Sequence, residues 1–251
     1  MIDAGSLEYA HARISARYGA RADELGWRRL AMIRDLGAFL DAARTCALGA
    51  WVTAIGPDSD VHAIERALRA HWRERLAAIA AWMPPDWRAA IEWYGLWPAL
   101  PVLQHLARGG TAPAWWRDDP LAAALREGQP ASRDAGAAML LAAGKAAPER
   151  MGSLWHDAWL RRLPEPGKAP SLLAEFAGVM KAHAIQFCDP LQADGWAVRR
   201  ALHARLAQLF RRATLDPAAA FIFLTLSALE GERLRGELVR RAVFPNVQLA
   251  S

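Results

Sequence analysis

Residues that could bind a metal are spread along the chain, and the patterns they form are incomplete. Glu8 and His11 have the Glu-x-x-His spacing of di-iron helical bundles, but such a site needs a second unit and two further glutamates. The sequence has no second Glu-x-x-His unit. Asp118 and Asp119 resemble half of a metal–diphosphate site, yet Pro120 follows directly and no acidic triad lies downstream. We therefore expect neither pair to bind a metal.

Two other patterns point to phosphate or cofactor chemistry only superficially. Gly136 to Lys145 has its glycines too far apart for a phosphate loop, and Ala146 stands where a Mg²⁺-binding Ser or Thr belongs. His183 and Cys188 are five positions apart, which is poor ligand spacing on a helix. The seven histidines are His11, His62, His71, His105, His156, His183 and His203. They are scattered, so buried or interfacial histidines are expected, and haem ligation by one of them stays open.

Tryptophan and arginine are the chemically distinctive residues of this chain. Seven of the twelve tryptophans lie between Trp72 and Trp116. They can form a core of large residues, or some can be partly exposed anchors, because Trp and Arg dominate protein–protein hot spots. The interface candidates are Trp93, Trp97, Trp115, Trp116, Arg233 and Arg240.

Composition predicts a helical protein with a substantial core. Of 251 residues, 53% are hydrophobic, and the abundance of Ala and Leu favours helix. The net charge is +5, and only three of the 31 basic residues are lysine. The basic residues alternate with acids instead of clustering, which is typical of solvated helical faces and argues against nucleic-acid binding.

The N-terminal sequence and the cysteines predict a soluble, cytoplasmic protein. The N-terminus lacks the pattern of a signal peptide. The longest uncharged runs, Trp93–Ala107 and Pro217–Leu229, are shorter than the roughly 20 residues that cross a bilayer. Cys46 and Cys188 are far apart, so we expect buried, reduced thiols and no disulfide framework.

The periodicity of apolar residues predicts nine or ten helices and no strand. Gly- and Pro-rich breaks suggest an N-terminal lobe (residues 1–108), a middle segment (109–170) and a C-terminal lobe (171–251). The predicted helices are 6–19, 23–33, 35–55, 61–83, 87–108 (kinked or divided at Pro98 and Pro101), 121–126, 134–163, 171–187, 196–213 and 217–244.

The last predicted helix has two halves of different character. Asp216-Pro217 is a helix start, and the apolar residues that follow cover more than half of the helical surface. We expect this half to be buried nearly all round. From Glu230 onward the pattern becomes amphipathic, with Glu230 and Arg241 among the charged residues expected to point mostly outward, until Pro245 ends the helix.

Three stretches together resemble a known family. Tyr9–Arg17 reads Tyr-Ala-x-Ala-Arg-Ile-x-Ala-Arg, Ile64–Leu68 reads Ile-Glu-x-x-Leu, and Leu229–Arg235 reads Leu-Glu-x-Glu-x-Leu-Arg. They resemble the central-stalk connector family of V/A-type rotary ATPases, which has prokaryotic and eukaryotic members. The resemblance is loose over residues 6–108 and better over 215–245. Residues 92–100 depart from the family pattern, and the chain is short for the family, which points to a reduced middle segment.

The resemblance implies a non-catalytic coupling protein. Such a protein is an all-α, multi-lobed funnel on the cytoplasmic face of the membrane, peripheral to it and in contact with it only through partners. Its partners are the shaft subunits and the proteolipid ring of a proton- or sodium-translocating ATPase, and it has no cofactor. Two alternatives remain open: a helical adaptor of another assembly, such as a secretion or maturation system, and an enzyme or cofactor carrier that uses the scattered histidines.

Overall fold

The computed structural model describes residues 6–127, 135–164, 171–187 and 194–244. These residues form twelve α-helices of seven residues or more, one four-residue helical turn, four short 3-10 helices and no strand. The prediction of an all-α fold is therefore confirmed. The helices are α1 (Leu7–Gly19), α2 (Glu24–Ala31), α3 (Leu36–Arg44), α4 (Gly49–Val52), α5 (Val61–Trp82), α6 (Arg88–Tyr94), α7 (Leu100–Ala107), α8 (Pro120–Glu127), α9 (Ala135–Ala146), α10 (Met151–Leu160), α11 (Ser171–Phe187), α12 (Gly195–Arg212) and α13 (Ala218–Val243).

Four of the first five helices begin at a side-chain cap. The Ser6 hydroxyl and the carboxylates of Asp23, Asp35 and Asp60 each accept a hydrogen bond from the backbone N–H three residues on, at 2.7–3.1 Å. Such caps satisfy donors that the first turn leaves without partners. Helix α6 begins differently, because a 3-10 turn at Pro85–Trp87 precedes it and neither element has a side-chain cap.

The structure contains more helices than predicted because three long predicted helices are divided. The segment 35–55 breaks between α3 and α4, where the chain folds so tightly that a Cβ on Gly49 would lie 2.8 Å from the Arg44 carbonyl oxygen. As expected, the segment 87–108 is interrupted around Pro98. The segment 134–163 is divided by a 3-10 turn that begins at Pro148.

Helix α13 lies at the centre of the fold. It packs against α1, α3, α5, α11 and α12. Every residue from Ala218 to Glu230 is buried, so the predicted all-round burial of its first half is confirmed. A helix that is apolar on all sides gains stability only when other helices enclose it, and α13 therefore organises the elements around it.

Aromatic packing joins α13 to helices of all three predicted segments. Tyr94 makes edge contacts with Trp155, Trp159 and Phe221 at centroid distances of 5.2–5.5 Å. Its hydroxyl lies 2.6 Å from the Thr225 hydroxyl in α13. The division at 108 and 170 stays a prediction, and the described core packs across both positions.

The structure bears on two further expectations, the absence of a membrane-spanning helix and the burial of the cysteines. No described helix combines the length and apolarity required to cross a bilayer. The prediction of a buried Cys46 is wrong, because this residue is exposed in the turn after α3, where its thiol donates to the Ala43 carbonyl at 3.2 Å. Cys188 lies outside the described residues.

Candidate functional site

Glu230 is the centre of a buried charge network. Its side chain is only 3% exposed. The Trp51 indole N–H donates to Glu230 Oε2 at 3.1 Å, and the Arg75 guanidinium lies 3.6 Å from the same oxygen. Arg21 Nε lies 3.8 Å from the other carboxylate oxygen. The prediction that Glu230 points outward is wrong, because residues after α1, in α4 and in α5 converge on this face of α13.

Two guanidiniums share the one carboxylate of Glu230. Burial lowers the pKa of both Arg21 and Arg75, and the charge of Glu230 opposes this effect. Burial and then the charge of Arg75 lower the pKa of His71 to about 4. His71 Nε2 is 3.2 Å from an Arg75 nitrogen, so the neutral imidazole accepts a hydrogen bond from the guanidinium. The network therefore holds α5 against α13 by charge as well as by apolar contact.

A cleft of about 340 Å³ opens beside this network. It lies between α5, α6, the start of α8 and the charged half of α13. Its apolar lining includes Leu68, Trp72 and Leu96. The Trp72 indole N–H donates to the Gly95 carbonyl at 3.0 Å, which fixes α5 against the end of α6. This volume is within the range of pockets that hold a small ligand or a few side chains of a partner.

One wall of the cleft is charged. Glu65 pairs with Arg69 in its own helix at 3.0 Å and with Arg235 in α13. Asp119, before α8, lies 3.8 Å from Arg69 and 3.3 Å from Arg73. The two carboxylates are 8% and 5% exposed, whereas Arg73 and Arg235 are 42% and 50% exposed. The two buried carboxylates are thus neutralised by arginines. The partly exposed charged groups of the lining have both signs, because Glu92 and Glu232 border the cleft as well as Arg73 and Arg235.

Glu65 differs from the simple surface residue that its i,i+4 spacing to Arg69 suggests. Its partner Arg69 stacks over Trp115 at 4.1 Å and over Trp116 at 5.6 Å. Burial lowers the pKa of Arg69, and Glu65 opposes this most strongly. Tertiary contacts therefore bury a pair that helix periodicity alone would leave in solvent.

The acidic residues considered as metal ligands have other roles. Asp119 Oδ1 accepts a hydrogen bond from the Leu121 N–H at 2.9 Å, and Asp118 lies 3.8 Å from Arg66. Glu8 is exposed on α1. Within the described residues no three His, Cys, Asp or Glu side chains are grouped to hold a metal ion. The glycine-containing stretch 136–145 lies inside α9.

The structure separates the candidate interface tryptophans into two classes. Trp93, Trp115 and Trp116 are 6%, 9% and 4% exposed, so they belong to the core, and their alternative role as partly exposed anchors is wrong for this structure. Trp97 is half-buried and borders a second cleft of about 100 Å³. His183 borders the same cleft, and burial followed by the charge of Arg199 lowers the pKa of His183 to about 4.

Arg233 and Arg240 remain at the surface of α13. Arg233 pairs with Glu24 at 2.8 Å and stacks over Trp27 at 4.5 Å. Arg240 pairs with Glu237 at 3.1 Å. Their side chains are 36% and 37% exposed, so both can reach a partner, although they point to faces of α13 other than the cleft that Arg235 borders.

Sequence reasoning missed the most distinctive part of this site. Arg21 and Arg75 carry no pattern that marks them, and Asp119 stood out only as a possible metal ligand, since the partners of all three lie on other helices. The motif glutamates Glu65 and Glu230 were the available indication, because both fall in stretches that resemble one family. Carboxylates held by guanidiniums in this way fix the helices that carry them and the cleft between those helices.

Comparisons with protein-family models, with curated proteins and with solved structures found no match to this chain.

Proposed function

We propose that this chain is the connector of a V/A-type rotary ATPase, joining the rotor shaft to the membrane ring without an active site of its own. The observation that carries the proposal is the meeting of the three family-like stretches. They lie on α1, α5 and α13, and α13 packs against both other helices. Glu65 of the second stretch pairs directly with Arg235 of the third. Stretches that are far apart in sequence thus form one structural unit.

In this proposal the end of the shaft occupies the cleft beside that unit. An apolar floor around Trp72 suits the apolar side chains of a helix end. The partly exposed Arg73 and Arg235, with Glu92 and Glu232, suit charged residues of both signs around that end. The funnel-like shape, the peripheral position on the cytoplasmic face and the contact with the proteolipid ring belong to the same proposal. Arg233, Arg240 and Trp97 are the surface residues we assign to the other partner contacts.

An affinity pull-down tests the proposal most directly. The tagged protein is recovered from gently solubilised membranes of its own cells, and its partners are identified by mass spectrometry. We expect shaft subunits and the proteolipid ring. A cleft variant that combines Arg73→Gln with Leu96→Gln should reduce recovery of the shaft subunits at least tenfold. The matched control combines Arg108→Gln with Leu106→Gln on α7, away from the cleft, and should recover them normally.

Other outcomes of the same experiment decide between the alternatives. Unrelated partners in the soluble fraction, with no ATPase component among them, would overturn the connector proposal and favour an adaptor of another assembly. An absorbance spectrum and a metal analysis of the purified protein address the third hypothesis. A coloured or metal-bearing protein would favour a cofactor carrier that uses the scattered histidines.

A further inference from the structure

Helix α2 is covered by the core on one side only. Trp27 and Leu30 are buried, whereas Leu25 and Met32 are 54% and 81% exposed. Leu25, Arg28, Arg29 and Met32 are spaced i, i+3, i+4 and i+7, so they share one face of the helix. This face therefore presents two apolar side chains with two arginines between them.

The end of α13 holds another exposed apolar side chain, close in sequence to the point where α13 meets the end of α2. The buried Arg241 guanidinium donates to the Leu30 and Ile33 carbonyls at 3.2 and 2.8 Å, which fixes the last turn of α13 at the end of α2. Phe244 follows three positions later, directly after the last residue of α13, and is 58% exposed. We define the α2 outer face as Leu25, Arg28, Arg29, Met32, Arg34 and Phe244.

The arginines of the α2 outer face outnumber the carboxylates around them that have no arginine partner. Within the described residues Arg29 and Arg34 have no ion-pair partner. Arg28 makes one long ion pair, with its Nε 3.8 Å from Glu24 Oε1. Glu24 is already held by Arg233 through two hydrogen bonds.

The two other nearby acids are engaged as well. Asp23 and Asp35 accept backbone hydrogen bonds as helix caps at 2.7 and 2.8 Å. These capping carboxylates keep their charge, but with Glu24 held by Arg233 the three arginines outnumber them. The α2 outer face therefore combines a net positive charge with protruding apolar side chains.

We propose that the α2 outer face binds the surface of an anionic lipid bilayer. Leu25, Met32 and Phe244 enter the boundary between headgroups and acyl chains, and the arginines bind lipid phosphates. Interspersed arginines and exposed apolar side chains are typical of elements that lie in a membrane interface.

A membrane explains this surface better than a protein partner. Protein hot spots place apolar anchors in pockets, whereas here the apolar side chains protrude singly, and neither of the two clefts borders them. The proposal goes beyond the connector function, which requires membrane contact through partners only. It also needs no other ATPase component to be tested, so the two proposals can fail independently.

Co-sedimentation of the purified full-length protein with lipid vesicles tests whether the arginines of the α2 outer face contribute to membrane binding. We expect it to pellet with vesicles of equal parts phosphatidylglycerol and phosphatidylcholine, to be released by salt, and to remain in solution with phosphatidylcholine alone. Each arginine near an anionic surface contributes about fivefold to partitioning, so Arg29→Gln with Arg34→Gln should weaken binding about 25-fold. The control pair Arg88→Gln with Arg108→Gln removes two exposed arginines elsewhere and should bind like wild type.

A second pair of variants tests the apolar contribution. Met32→Ser with Phe244→Ser changes only exposed side chains and should weaken binding at least tenfold. Met139→Ser with Ile185→Ser is the matched control, since those side chains are 70% and 59% exposed on other helices. The proposal is overturned if the wild type stays in solution with anionic vesicles, if it pellets equally with neutral ones, or if the control pairs lose as much binding as the α2 variants.

Discussion

Removing the charge of Glu230 should destabilise the protein more than any single surface change. The substitution Glu230→Gln keeps an oxygen that can accept from the Trp51 indole N–H, so the hydrogen bond and the packing are preserved. It removes the negative charge between Arg21 and Arg75, whose side chains are 13% and 11% exposed. Both cations then remain in a poorly solvated position without a counterion.

The magnitude follows from the burial of the three groups. Breaking a buried ion pair by removing one partner costs about 3–5 kcal/mol, and the small remaining exposure of both arginines places Glu230→Gln near the lower value. For a chain of this size, about 3 kcal/mol corresponds to a fall in melting temperature of roughly 6–12 °C. Adding Arg75→Met removes one uncompensated cation, so the double variant should be less destabilised than the sum of the two single variants.

Urea unfolding monitored by circular dichroism measures the expected loss. Glu232→Gln is the control, because it removes the same charge two positions away, where the Glu232 and Arg199 side chains are 29% and 24% exposed. We expect that control to lose less than about 1 kcal/mol. The reasoning is refuted if Glu230→Gln lies within about 0.5 kcal/mol of wild type, a difference typical of ordinary surface changes, or if it costs no more than Glu232→Gln.

Three further predictions concern the groups around α13. Burial lowers the pKa of His71 to about 4, so the unfolded chain binds a proton at a higher pH than the folded chain does. The contribution of His71 to the free energy of unfolding is therefore constant above about pH 6.5 and falls by at most about 3 kcal/mol between pH 6.5 and pH 4. His71→Gln should flatten this part of the pH profile of urea unfolding, and an unchanged profile would contradict the assignment. Tyr94→Phe breaks the buried 2.6 Å bond to Thr225 and should cost about 1–2 kcal/mol by the same assay; a neutral effect would count against that bond. Arg241→Met removes the donors to carbonyls at the end of α2, so it should cost at least about 2 kcal/mol and speed amide exchange in α2, while the exposed Arg240→Met changes little.

Helix limits were predictable wherever local chemistry sets them. The predicted segment 217–244 is α13 to within one residue at each end, and 61–83 is α5 with one residue fewer. Asp216 accepts from the Ala218 N–H at 2.8 Å, as expected for an acidic residue before a helix. The break near Gly49 lacks a proline and depends on a close backbone approach to Arg44, which apolar periodicity does not show.

The site was predictable only in part. The stretches that contain Glu65 and Glu230 stood out in the sequence, but Glu230 was expected to point outward and no local pattern marked Glu65 as buried. Periodicity describes one helix at a time, and it assigns a charged residue to solvent unless a partner is known. Trp115 and Trp116 were ambiguous for the same reason, since their cation Arg69 lies on another helix.

The sequence by itself determined the helical class of this protein and the buried central position of α13, because composition, caps and apolar periodicity act between neighbouring residues. Only the tertiary structure decided that Glu230 is buried, since its partner Trp51 lies 179 positions away. It also decided that Glu65 and Asp119 line a cleft together with the arginines that neutralise them. Burial of a charge depends on which distant cations converge on it, and that convergence is a property of helix packing that no local pattern encodes.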